Sequence, residues 1–144
     1  MKKTTITIIG IIAMLIFTEC KKYQEGPLIS FRSKKSRIEG KWKFDKVLSN
    51  GVDKTVDFVN AEIEFATDGS YSNTRLVPGN STPLESKGTW VLANNDLSVD
   101  LTYSGVFGGT TVQRWNILKL KKGDLWLEYI GYDSKIEWQL SGGN

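Results

Sequence analysis

Histidine is absent from the 144 residues, and cysteine occurs once. Without imidazole there is no Ser-His-Asp triad, no His zinc ligand and no side chain whose ordinary pKa lies near neutrality. A lone cysteine excludes an intrachain disulfide. Proline is scarce at three, against 14 glycines and 5 Trp, 5 Tyr and 6 Phe; this composition argues against collagen, a mucin-like stalk or a disordered chain. An excess of one charge sign is also missing. The formal charge is +3, and without residues 1–19, which carry Lys2, Lys3 and Glu19, it is +2. No strong electrostatic partner follows. The densest basic run, Arg32 to Arg37, has no interleaved aromatics, so nucleic-acid binding is not expected; it reads as a solvated segment near an anionic lipid surface. Length suits one domain of roughly 100–150 residues.

Long apolar runs are lacking too. The longest, Ile6 to Phe17, has 12 residues behind Met1-Lys2-Lys3, whereas a membrane span needs about 17–25. A basic start followed by a short apolar stretch is the pattern of a secretory signal peptide. Leu15-Ile16-Phe17-Thr18-Glu19-Cys20 then places the single cysteine directly after that stretch. The arrangement resembles a bacterial lipoprotein lipobox, with Glu19 where that family has Gly, Ala or Ser. The resemblance implies that Cys20 becomes the first mature residue and carries acyl chains; the alternative is an unmodified thiol. Several acyl chains on one residue give a stable anchor without a spanning helix.

Residues 20–39 read as a tether and entry segment. Gly26-Pro27 stops regular structure, and Ser36-Arg37-Ile38-Glu39 fits a capping box for one short helical turn. Leu28, Ile29 and Phe31 are apolar enough to flank the domain.

From Gly40 the period changes to two. Trp42 and Phe44 alternate with Lys41, Lys43 and Asp45, Ile63 and Phe65 with Glu62 and Glu64, and Leu97, Val99 and Leu101 with Ser98 and Asp100. Further strands are expected at 70–76, 87–93, 110–120, 125–131 and 135–140, and no long 3.6-residue stripe follows Gly40. Thr67-Asp68-Gly69, Asn94-Asn95-Asp96 and Lys121 to Asp124 are tight turns, while 49–60, 77–86 and 104–109 are longer connections. An up-and-down meander alternates its connections between two ends, so the tight turns share one end and the long connections the other. With eight strands the first and last run antiparallel and can pair, which removes both sheet edges.

Gly40-Lys41-Trp42 opens the first strand, Phe65-Ala66-Thr67-Asp68-Gly69-Ser70-Tyr71 forms a hairpin, and Gly88-Thr89-Trp90 recurs in mid-domain. In this order, behind a lipobox-like cysteine, they resemble the lipocalin-like lipoproteins of Bacteroidota over about residues 20–140. The lipocalin arginine that follows the last strand and packs on the first tryptophan has no counterpart here. The fold expected is therefore all-β: an antiparallel up-and-down meander of about eight strands closing into a small lipocalin-like barrel. Residues 1–19 form the signal peptide, 20–39 the tether and 40–144 the barrel.

Glu62 and Glu64 are the nearest approach to a paired-carboxylate site, but their alternation with Ile63 and Phe65 puts them on the solvent side. No enzyme activity, cofactor or metal is expected. Trp42, Phe44, Phe65, Tyr71, Trp90, Trp115, Tyr129 and Trp138 are candidates to line an apolar ligand site or simply to fill the core. Trp126 points to the exterior. Phe107, held with Val106 between Gly105 and Gly108-Gly109, is the candidate at the mouth, as lid or as core cap. Two functions stay open. One is a lipid-anchored envelope protein, expected at the outer membrane, that binds a small apolar or amphipathic ligand at the mouth. The other is an accessory lipoprotein whose filled barrel contacts other envelope proteins through its loops.

Overall fold

The computed structural model describes residues 32–76, 79, 82–105 and 108–143. The expected signal peptide, Cys20, the apolar residues Leu28, Ile29 and Phe31, and the Val106-Phe107 pair lie outside the described residues.

A short helix α1 (Lys34–Ile38) precedes strands β1 (Gly40–Ser49), β2 (Val52–Asp53), β3 (Glu62–Phe65), β4 (Ser70–Arg75), β5 (Leu84–Ala93), β6 (Ser98–Ser104), β7 (Thr110–Lys121), β8 (Asp124–Ile130) and β9 (Lys135–Gly142), with a 3-10 turn at Thr55–Phe58. All pairings are antiparallel between neighbours, and β1 also pairs with β9. Eight strands, β1 and β3 to β9, thus close a ring, and the two-residue β2 folds back on the end of β1. This is the expected meander with one addition. Asn50 (φ 50°) and Gly51 (φ 79°) supply the positive φ values that a two-residue hairpin needs, and a two-residue strand is too short to show alternation.

Alternation decides which side chains enter the ring, and two bulges reset it. In β1 the inward series runs Trp42, Phe44, then Val47, because the pairing with β9 shifts between Phe44 and Lys46 and turns both Asp45 and Lys46 outward. In β7 a shift between Ile117 and Lys119 passes the inward series from Ile117 to Leu120. The resulting interior is continuous and almost wholly apolar.

The tight turns share one end, as expected. Gly69 takes φ +88°, and the Asp68 carboxylate accepts from the Ser70 amide at 2.8 Å and hydroxyl at 2.7 Å, holding its carboxyl below the ordinary range. At β5–β6, Asn94, Asn95 and Asp96 all have positive φ, tolerated by short Asx side chains.

Helix α1 closes this end. Its cap is Ser33, whose Oγ accepts from the Ser36 amide at 3.1 Å, and Glu39 ends the helix. The capping box expected at Ser36 is thus displaced by one turn, because the helix must end for Gly40 (φ +125°) to start β1. The basic run is not simply solvated either. Lys34 donates to Asp96 O at 3.5 Å, Lys35 to Thr67 O at 3.4 Å and Arg37 to Leu120 O at 3.2 Å, reaching two of the tight turns and the end of β7. Fully buried Ile38 plugs the ring, and Trp42 (1% exposed) donates from Nε1 to Ile38 O at 2.7 Å. Where lipocalins place an arginine over this indole, Gly143 lies against the ring: a Cβ there would sit 2.4 Å from Trp42 Cζ2.

Candidate functional site

The end opposite α1 carries the connections 50–61, 76–83, 105–109 and 131–134. The three loops expected at one end are indeed together, with β5 starting earlier than expected, at Leu84.

The aromatic candidates fall into two groups. Trp42, Phe65, Tyr71 and Trp90 lie toward the closed end. Phe65 meets Trp90 edge-on at 5.4 Å, and Trp90 Nε1 donates to Ala66 O at 2.9 Å. Phe44, Trp115, Tyr129 and Trp138 form a connected column: Trp115 stacks on Trp138 at 3.7 Å, Trp138 meets Phe44 edge-on at 5.2 Å, and Tyr129 tilts against Trp115 at 5.4 Å. Phe58 from the 3-10 turn extends the column at 5.2 Å from Phe44, where β1 and β3 have parted after Lys43. This column fills the β8–β9–β1 side of the ring. Trp126 faces outward, with Lys119 Nζ 4.4 Å from its ring centroid. Glu62 and Glu64 also face outward, and Glu64 approaches Lys41 at 3.8 Å.

The other side is different. Residues paired directly opposite each other share a face, so the inward series can be followed across the sheet from buried Ile63 to Asn73 and Ser86, and from Tyr71 to Gly88, Tyr103 and Thr111. By the same rule Arg75, Leu84 and Gln113 point inward. Yet Leu84, Ser86 and Thr111 are exposed, and Arg75, Tyr103 and Gln113 are only half-buried. Inward-facing residues that remain accessible define an open bowl on the β4–β7 side of the mouth, beside the aromatic column. At its edge a hollow of about 240 Å3 is lined by Asn73, Arg75, Leu84, Glu85 and Ser86. Gly88 lets the sheet close beneath it: a Cβ would meet Thr102 O at 1.9 Å and Tyr71 Cε1 at 2.9 Å.

Polar chemistry concentrates in this bowl. Burial pushes the Tyr71 phenol above its ordinary pKa, partly opposed by its side-chain hydrogen bond with Ser86. Asn73 Oδ1 in the bowl, like Trp115 Nε1 in the column beside it, is buried without a hydrogen-bond partner; such an unmet group typically costs about 1–3 kcal/mol. Arg75 lies 5.3 Å from the Phe58 ring centroid. Apart from Tyr71, the bowl residues were not among the sequence candidates, although β4 carries a signal: Ser-Tyr-Ser-Asn-Thr-Arg is polar on both faces beyond Tyr71. A core-facing row that turns polar marks where the core stops. Among the described residues no group of three or more His, Cys, Asp or Glu side chains is placed to hold a metal ion.

Two solved structures share the architecture. A lipocalin-like protein from Bacteroides uniformis ATCC 8492 superposes with a TM-score of 0.54 at 18% identity, covering 73% of this chain and 97% of its own. An uncharacterized protein from Bacteroides eggerthii DSM 20697 gives 0.52 at 15% identity, covering 72% of this chain and 98% of its own. At such identities the likeness is one of fold. No curated protein matches the sequence. Residues 38–127, more than half of the chain, match the family of lipocalin-like domains. Together with the closed eight-strand ring and its two G-x-W tryptophans, this places the chain in the lipocalin-like domain family.

Proposed function

We propose that this chain is a non-enzymatic binding module of the cell envelope, held at the outer membrane through lipidated Cys20, that takes a small apolar or amphipathic ligand at its mouth. The observation that carries the reading is the bowl. Inward positions Leu84, Ser86 and Thr111 are exposed in a barrel whose opposite wall is packed with aromatics. A concave surface with an apolar wall and a few convergent polar groups is the usual form of a small-molecule site, and loops on a rigid barrel are where recognition residues gather.

The test is calorimetric titration with neutral 2-naphthamide. Binding is expected to wild type and to be lost in Ser86→Trp, which fills the bowl from an exposed position. Undiminished binding in that variant would move the site elsewhere. Lipidation is tested separately: Cys20→Ala should abolish the acyl mass of the mature protein and release it from the membrane fraction. Wild-type protein recovered without acyl mass would refute the anchor.

A second reading, the accessory protein, is favoured by the rim. Val52, Val56, Val59, Ile130 and Tyr132 are all more than half exposed at the mouth end, on the side where the interior is filled. Exposed aliphatic clusters mark protein contacts as well as ligand entrances.

A further inference from the structure

We infer that the ligand of the bowl is an amphiphile with an anionic head, its charge received by Arg75 at the mouth and its apolar body lying inward toward the aromatic column. The inference rests on the proposed bowl and adds the chemistry of its occupant. Following the inward face around all eight strands, every described position is apolar or neutral except Arg75. That single guanidinium is half-buried, and among the described residues it makes no ion pair. It lies over the Phe58 ring, which leaves the planar fork of donors free. The nearest carboxylate in sequence across the strand pair, Glu85, is taken by Lys87 at 3.0 Å.

The surroundings suit the same head group. Asn73 and Ser86 line the hollow that contains Arg75, together with Glu85, whose charge is paired with Lys87. Asn73 is half-buried with its carbonyl oxygen inaccessible and unmet, and its NH2 group supplies donors. Arginine with two neutral donors is a receptor for a carboxylate or a similar oxyanion, in which charge-assisted hydrogen bonds are the strong ones. Phe58, against which Arg75 already lies, begins the column that runs through Phe44 to Trp138 and Trp115. An acidic head at Arg75 therefore places an attached apolar body beside that wall.

The test compares 2-naphthoate with neutral 2-naphthamide, by calorimetry on the soluble protein at pH 7 and low ionic strength. Wild type should bind the acid at least about tenfold more tightly than the amide, and the preference should shrink with added salt because the contact is at a partly exposed charge. Arg75→Gln should bring the two ligands to within about twofold, chiefly by weakening the acid, and Arg75→Lys should restore part of the preference. Equal affinities in wild type, or a preference that survives Arg75→Gln, would overturn the anionic head while leaving the bowl intact. Binding of neither compound would overturn the bowl itself. A separate arm measures cosedimentation with phosphatidylcholine vesicles containing phosphatidylglycerol. Arg75-dependent vesicle binding without naphthoate binding would reassign the charge to a membrane surface and refute a free acidic ligand.

Discussion

Gly88 offers a test in which the general rule and this structure predict opposite signs. Replacing a strand glycine by alanine ordinarily stabilises by about 0.5–1 kcal/mol, because the unfolded chain loses freedom. At Gly88 the new Cβ would stand 1.9 Å from the Thr102 carbonyl oxygen, against about 3.4 Å for ordinary contact. Tyr71, also met at 2.9 Å, can swing aside, but the carbonyl belongs to the backbone of β6. The two strands must part by about 1.5 Å, enough to break the hydrogen bonds on either side; at about 1 kcal/mol each plus about 1–2 for repacking, Gly88→Ala should cost about 3–4 kcal/mol. In urea, with a slope of about 1–3 kcal/mol/M, the midpoint should fall by more than about 1 M. Thr89→Ala, one residue on and exposed, is the control and should stay within about 0.5 kcal/mol. A Gly88→Ala protein as stable as wild type would show that β5 and β6 are not so close, and the register between them would have to be redrawn.

Two further outcomes follow from the closed end and the outer face. Trp42→Ala should cost about 3–5 kcal/mol by denaturant unfolding, as for other buried large aromatics, whereas Trp42→Phe, which mainly orphans the Ile38 carbonyl, should cost about 1–3; a loss below about 1 kcal/mol in the alanine variant would place the indole at the surface. Asp100 receives Arg114 Nε and an Nη hydrogen bond, both at 2.8 Å, and these hold its carboxyl below the ordinary range. A depressed folded-state value gives stability that is complete above the unfolded aspartate value and lost as pH falls through the folded one. Asp100→Asn should therefore be less stable than wild type at pH 7, with the gap closing in acid below the usual carboxylate range; a gap constant with pH would disprove the linkage.

The meander was legible because its signals are local. Alternation around Trp42, Ile63 and Val99 gives strands, and Asp68-Gly69 or Gly123 gives turns at the residues where positive φ is needed. The bulges were not legible, since the turning of both Asp45 and Lys46 outward depends on how β9 aligns with β1. The same distinction separates the aromatic column from the bowl. A tryptophan is conspicuous in any sequence, but Trp42 and Trp115 acquire different surroundings only when the ring closes. Arg75 was overlooked because charge on a strand is ordinarily read as solvent-facing. Only the pairing of Ile63 with Asn73, two residues earlier on the same face, turns it inward.

The division of β1 between two neighbours bears on how the chain reaches this state. β3 pairs with four of its residues, Gly40 to Lys43, while β9 pairs along Trp42 to Ser49, close to a hundred positions downstream. The hairpins from β3 to β8 can form from contacts between sequence neighbours, but the upper half of β1 waits for the last strand to be made. Such distant closure slows folding, because the intervening chain must be brought round before the contacts reward it. During synthesis the unpaired stretch from Phe44 to Val47, with two apolar core residues at its ends, is an open sheet edge. The eight residues of β9 thus act as the latch of the barrel, and their loss would expose the first strand and β8 together.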